Sequence, residues 1–198
     1  MTELTSPRPA GRKRFGQGAL ATPANFLTTT RIVVAVPTLL LMHDRGATWL
    51  TVALWFAVTA SDSLDGWLAR RDGATRSGAF LDPVADKLIV LGGLGVLADR
   101  GDIWWWPVLL IGARELGISV YRARAGRRGI VLPAQSLGKY KAFFQYLAVG
   151  AVLLPLTEDA IGVQQTVLLI ATALTVVSGL QIVRSGWVDW QRHDGATA

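Results

Sequence analysis

Four aspartates interrupt otherwise apolar sequence: Asp62 and Asp65, then Asp82 and Asp86, framing the stretch DSLDGWLARRDGATRSGAFLDPVAD. A charge inside a hydrophobic membrane segment costs several kcal/mol unless it is paired or coordinated. Asp62 and Asp65 are three residues apart, so on a helix they share a face. Gly66 and Ala69 lie on nearly the same face, and their small size leaves room for a ligand or another backbone. Asp82 and Asp86 are four apart and likewise share a face. A short connection containing Gly73 makes the two helices antiparallel neighbours, so both acidic faces meet near one membrane surface. Four converging carboxylates repel, and one or two Mg²⁺ ions would relieve that repulsion. Mg²⁺ held by carboxylates commonly binds substrate phosphates as well. Arg70 and Arg76 are placed to help hold a pyrophosphate. A lone aspartate at a membrane edge would read as a helix cap. Four at this spacing, with Gly66, Gly73 and Gly78 among them, read as a cation site.

A second charged group lies further along. Arg114 and Glu115 fall inside an apolar segment, and Arg122 follows Arg114 by about two helical turns, on the same face. Lys139 and Lys141 open the next apolar segment, with Gln145 one turn on. Together they would form a basic pocket for an acidic acceptor such as a phosphate monoester. Arg124, Arg127 and Arg128 read as ordinary loop charge, whereas Arg114 is deeper and more costly to bury.

The elements that must position these residues are apolar helices. The chain has 198 residues, of which 51% are hydrophobic, and a positive mean hydropathy of +0.37. That is too apolar for an ordinary soluble domain. Eight tryptophans fit interfacial anchoring. The absence of cysteine excludes disulfides, thiolate nucleophiles and zinc–sulfur sites. His43 and His193 are far apart, so a histidine metal site is not expected, and any metal would be a hard cation bound by oxygen. The net charge of +6 reads as cytoplasmic loop charge and attraction for acidic headgroups, not as a nucleic-acid signal.

Six hydrophobic segments are expected: Asn25–Met42, Thr48–Arg70, Gly78–Ala98, Ile103–Arg122, Ser136–Leu156 and Val163–Val183. Residues 1–20 are polar and basic and lack the apolar core of a signal peptide. They read as a cytosolic tail ending in a short interfacial helix near Phe15–Leu20. Residues 21–190 form one domain, and 191–198 a C-terminal tail. Positive charge alternates between connections: Arg70, Arg71 and Arg76, then Arg124, Arg127 and Arg128, then Arg184 and Arg192. The opposite side carries Arg45, Arg100, Glu158 and Asp159. The expectation is an all-α integral membrane bundle of six transmembrane helices with both termini cytosolic.

The stretch from Asp62 to Asp86 resembles the signature of the CDP-alcohol phosphatidyltransferases: D-x2-D-G-x2-A-R, a spacer of about eight, then G-x3-D-x3-D. The chain supplies Asp62, Asp65, Gly66, Ala69, Arg70, Gly78, Asp82 and Asp86, with a seven-residue spacer whose shortening falls in the loop. The resemblance implies six helices, a site open to the cytosolic leaflet of the inner (plasma) membrane, and a homodimer. It implies two Mg²⁺ or Mn²⁺ ions on the four aspartates and CDP-diacylglycerol as donor. It also implies that Asp86 is the general base and that an alcohol attacks with release of CMP. Gly66, Arg70 and Thr75 match positions that hold the cytidine-diphosphate part, and Asn25, Thr28, Ala69 and Gly78 join this donor-binding set.

The string ARELGISVYRARAGRRGIVLPAQSLGKYKAFFQ is similar to the phosphatidylglycerophosphate synthases within that family, though its turn reads GRRG. The start ATPANFLTTTRIVVAVP is similar too, through Asn25, Leu27, Thr28 and Arg31. That likeness implies glycerol 3-phosphate as acceptor, phosphatidylglycerophosphate as product, and Arg114, Arg122, Lys139 and Lys141 as holders of the acceptor phosphate. Relatives that use inositol phosphate also need a basic pocket, so phosphatidylinositol phosphate synthase and cardiolipin synthase stand as alternatives. A transporter with an intramembrane acidic relay is the reading from another class. It would be accompanied by internal repeats and broken helices, and none is evident. A prenyl-diphosphate enzyme also uses Asp-rich helices and Mg²⁺, but its pattern does not match this glycine spacing.

Overall fold

A computed structural model describes the backbone of residues 23–72, 76–127 and 137–195. It describes the side chains of residue 26 and of residues 28–61, 84–127 and 137–186. The described chain is all-α, with no strand. The helices are α1 (Pro23–Arg45), α2 (Trp49–Asp72), α3 (Arg76–Asp99), α4 (Trp105–Arg127), α5 (Leu137–Leu153) and α6 (Ile161–Gly195), with a 3-10 turn at Pro155–Thr157.

The helix ends follow local chemistry. Thr48 and Thr51 cap the start of α2 reciprocally: each backbone N–H donates to the other's hydroxyl oxygen, at 3.0 and 3.2 Å. Gly46 ends α1 with φ +64°. A β-carbon there would also lie 2.3 Å from the far end of the Arg100 side chain, which would have to shift, but it is the positive φ that calls for glycine. Gly101, at φ +82°, closes α3 while the Asp102 N–H reaches back to the Leu97 carbonyl at 2.9 Å. Pro155 lacks an N–H to continue α5, which therefore stops at Leu153 rather than near Leu156. By contrast α6 runs on as helix to Gly195, well past the end expected near Val183.

Helix α3 is central. It packs against α1, α2, α4 and α5, while α6 covers α4 and α5. Trp55 of α2 sits at the junction and is almost fully buried. Its ring lies over Gly93 of α3 and Gly150 of α5, and its indole N–H donates to the Tyr146 carbonyl of α5 at 3.1 Å. Leu94, Leu97, Ile111, Val149 and Leu168 complete the dry interior.

The outside is also apolar. Val33, Leu40, Leu109, Leu116, Phe143 and Leu180 are each 60–65% exposed, on four different helices. Apolar exposure of this extent marks a surface that meets lipid or a partner rather than water. Among the described residues one stretch, Ile161–Gly186 in α6, is long and apolar enough by length and composition to cross a membrane, and Trp49–Ser61 is a shorter apolar helix. Helices α3 and α4 each carry charges within their length: Asp82, Asp86 and Lys87 in one, Arg114 and Glu115 in the other.

The glycines of α3 differ in what they permit. A β-carbon on Gly93 would lie 2.8 Å from the Trp55 ring, whereas one on Gly95 would meet nothing within 4 Å. Gly93→Ala is expected to destabilise the protein by about 1–3 kcal/mol, as overpacking typically does. Gly95→Ala is expected to leave it unchanged. Thermal unfolding of the two variants in detergent checks the difference.

Candidate active site

The residues of the acidic signature lie on two helix ends. Positions 62, 65, 66, 69 and 70 occupy the last turns of α2, and positions 78, 82 and 86 the first turns of α3, with three residues between the helices. Thr75, and the side chains of Asn25, Leu27, Asp62, Asp65, Gly66, Ala69, Arg70, Gly78 and Asp82, fall outside the described residues. Asp86 is the aspartate whose surroundings are described.

Asp86 is half-buried on α3, and its Oδ1 accepts a hydrogen bond from the Tyr146 hydroxyl of α5. Tyr146 is itself held by Trp55, through the indole bond to its carbonyl and through a tilted ring contact with centroids 6.1 Å apart. Ala85, next to Asp86, is fully buried, so this face of α3 is packed inward.

Helix α1 comes to the same end of α2. Thr28 and Arg31 are buried, one turn apart on one face. The Arg31 Nε–H donates to Ser61 Oγ at 2.8 Å, and the Ser61 hydroxyl donates to the Val58 carbonyl at 2.7 Å. Ser61 immediately precedes Asp62, so this bond pins the N-terminal motif beside the first aspartate pair. A cavity of about 160 Å³ opens here between α1 and α2. Val34, Leu54, Ala57 and Val58 line it, with polar atoms from Arg31 and Ser61.

The basic group is built around an acid. Arg114 Nη1 pairs with Glu115 Oε1 at 3.0 Å, and Lys141 Nζ pairs with the same oxygen from α5. Arg114 Nη2 also donates to Ser178 Oγ of α6 at 2.8 Å. The three charged side chains are 10–13% exposed. Arg114 reaches α6 because Gly179 has no side chain; a β-carbon there would lie 3.1 Å from Arg114 Nε. That Nε is buried with no hydrogen-bond partner among the described residues. One turn deeper, the Gln145 amide donates to Thr175 Oγ1 at 2.8 Å and ties α5 to α6.

Two cations on one carboxylate leave the trio with a single positive charge. Burying such groups is expensive, and a shared carboxylate is what holds the cations together when no anion is present. Lys141 also lies within electrostatic reach of Asp86, and Glu115 within reach of Lys87, so the basic group adjoins the acidic helix ends.

Of the expected acceptor-site residues, the structure joins Arg114 and Lys141 through Glu115. Arg122 and Lys139 are exposed and stand outside the cluster. Arg122 is about 12 Å, two turns, further along the same face of α4 than Arg114. Among the described residues no three metal-ligating side chains converge. Glu115 attracts notice in the sequence as a charge in an apolar run, but its role as a bridge does not. Trp55, Tyr146 and Ser178 carry no sequence signal at all: one is a tryptophan among eight, and the others are single polar groups whose partners lie 60 and 64 residues away.

Comparison with known proteins shows the family. The sequence profile of the family described as CDP-alcohol phosphatidyltransferase matches residues 21–177. A protein of Mycobacterium tuberculosis strain H37Rv, described as a probable phosphatidylglycerophosphate synthase, is 38% identical over 90% of this chain and 88% of its own length. The CDP-diacylglycerol–glycerol-3-phosphate 3-phosphatidyltransferase of Sodalis glossinidius is 36% identical over 85% of this chain and 94% of its own. The Bacillus subtilis protein of the same description is 34% identical over 68% of this chain and 72% of its own. Because both the profile and these alignments span the acidic helix ends and extend through most of the bundle, the protein belongs to the CDP-alcohol phosphatidyltransferase family.

Proposed function

We propose that the protein transfers the phosphatidyl group of CDP-diacylglycerol to sn-glycerol 3-phosphate, giving phosphatidylglycerophosphate and CMP in phospholipid biosynthesis. The observation that carries this reading is the adjacency of two sites of opposite character: Asp86 on its acidic helix end, and Lys141 bound to Glu115 and Arg114 within electrostatic reach of it. The names of the relatives, which contain these two substrates, support it.

The donor set fits hard divalent cations. It is carboxylate oxygen throughout, the chain has no cysteine, and the His43 ring is engaged by Asp99 at 3.2 Å and by neighbouring Asp44. Two Mg²⁺ or Mn²⁺ ions on Asp62, Asp65, Asp82 and Asp86 would offset the charge of the donor's pyrophosphate. Gly66, Ala69 and Gly78 leave room for the cytidine diphosphate, and Asn25, Thr28, Arg70 and Thr75 hold it. Arg114 and Lys141 bind the acceptor phosphate, and Glu115 keeps them convergent. Arg122 and Lys139, both exposed, belong to the same acceptor-phosphate set. Asp86 takes the proton of the acceptor hydroxyl. That oxygen bonds to the β-phosphorus, the bond from this phosphorus to the CMP oxygen breaks, and CMP leaves with the electron pair.

The same reading places residues 21–190 as a six-span domain of the inner membrane, with both termini and the active site cytosolic. Residues 1–20 and 191–198 are its tails, the second continuing α6. Charge distribution supports it, since Arg71, Arg76, Arg124, Arg127 and Arg128 lie at helix ends or connections of one parity. So does the meeting of the turns after α1 and α3, where Arg100 and Asp99 contact the end of α1. The protein acts as a homodimer and does not bind nucleic acid.

Purified protein with CDP-diacylglycerol and Mg²⁺ should release CMP when glycerol 3-phosphate is added. It should not do so with inositol 1-phosphate, inositol, serine or phosphatidylglycerol, and not after chelation of the metal. A different productive acceptor would move the protein within its family; no CMP with any acceptor would sink the enzyme reading. Asp86→Asn should lower turnover by about 100-fold or more while CDP-diacylglycerol still binds in a metal-dependent manner. Near-normal turnover would remove Asp86 as the base. Arg114→Ala should raise KM for glycerol 3-phosphate roughly tenfold or more, the scale of one charge-assisted contact, with little change for the lipid donor. Equal effects on both substrates would make Arg114 a tie between α4 and α6.

A further inference from the structure

The hydrogen bond from Tyr146 to Asp86 crosses from α5 to α3 and joins a phenol to the carboxylate on which the proposed chemistry turns. A carboxylate at a helix face can rotate about its Cβ–Cγ bond. Its two oxygens then exchange places, and a general base needs one of them aimed at the acceptor hydroxyl. A donor fixed on Oδ1 removes that freedom. We propose that Tyr146 is a positioning residue for Asp86: its hydroxyl, on Oδ1, holds the carboxylate in one orientation toward the acceptor. This rests on the functional reading given above.

The support for Tyr146 is built in depth. Its backbone carbonyl accepts the Trp55 indole N–H at 3.1 Å, and its ring rests against the Trp55 ring. Trp55 in turn is seated over Gly93, one helical stretch along α3 from Asp86, and beside Gly150 of α5. The phenol is thus anchored to the same two helices whose relative position decides where Asp86 stands. The position of Tyr146 is fixed by groups other than its hydroxyl, so removing that hydroxyl tests orientation without unseating the ring.

Tyr146→Phe keeps the ring and the backbone carbonyl. It is expected to lower kcat roughly tenfold, the scale of a lost hydrogen bond to a charged group, with KM for CDP-diacylglycerol and the thermal midpoint unchanged. Tyr140→Phe, at an exposed position on the same helix, is expected to be silent. The decisive measurement is a double-mutant cycle with Asp86→Glu, whose longer side chain moves the carboxylate away from the phenol. In that background Tyr146→Phe should cost little further activity, so the two effects should not multiply. Wild-type turnover in Tyr146→Phe, or effects that multiply fully in the double variant, would overturn the inference. A shared fall in kcat and thermal midpoint would do the same, by making Tyr146 a packing residue. No CMP release by the unmutated protein with any acceptor would instead overturn the functional reading, and this inference with it.

Discussion

Charge among apolar helices has to be compensated within reach, and that constraint organises this protein. Glu115 lies between Arg114 and Lys141, drawn from α4 and α5, and Ser178 extends the arrangement to α6. None of these groups would be stable alone at 10–13% exposure, since an unpaired buried charge is strongly destabilising. The trio satisfies the requirement incompletely: one acid serves two cations. Under the proposed function, such a group is stable enough to fold and still positive enough to attract an anion. The aspartates at the ends of α2 and α3 pose the converse problem, one that the proposed divalent cations would solve.

The apolar interior sets the distance between the two. Trp55 is the largest fully buried side chain among the described residues, and it fits because Gly93 offers bare backbone beneath its ring. Its one polar atom is satisfied by a carbonyl of α5. The packing of α2, α3 and α5 therefore meets at a single ring, seated closely on Gly93. Interiors packed at this density move by discrete rearrangement rather than by gradual yielding.

The number and approximate position of the helices were legible in the sequence, because apolar runs separated by charged or glycine-containing turns leave few alternatives. The ends were less so. Pro155 stops α5 early for a local reason that the sequence does contain, while the continuation of α6 to Gly195 crosses polar residues that carry no apolar signal. The acidic signature was legible because its spacing is local, within two adjacent helices. The cation cluster was half legible: Arg114 and Lys141 stand out as charges in apolar segments, but Glu115 as their common partner depends on how α4 meets α5. The bond from Tyr146 to Asp86 was not legible at all, because nothing in a local pattern encodes a contact across 60 residues.

Helix α5 makes contacts in four directions within 10 residues: Lys141 to Glu115 on α4, Gln145 to Thr175 on α6, Tyr146 to Asp86 on α3, and the Tyr146 carbonyl to Trp55 on α2. A helix this short is a rigid rod, so its residues share one set of coordinates. An axial slide that brings Lys141 nearer an acceptor carries Tyr146 along the Asp86 carboxylate by the same amount. Under the proposed function, acceptor affinity and the aim of the base cannot drift independently through changes in this helix.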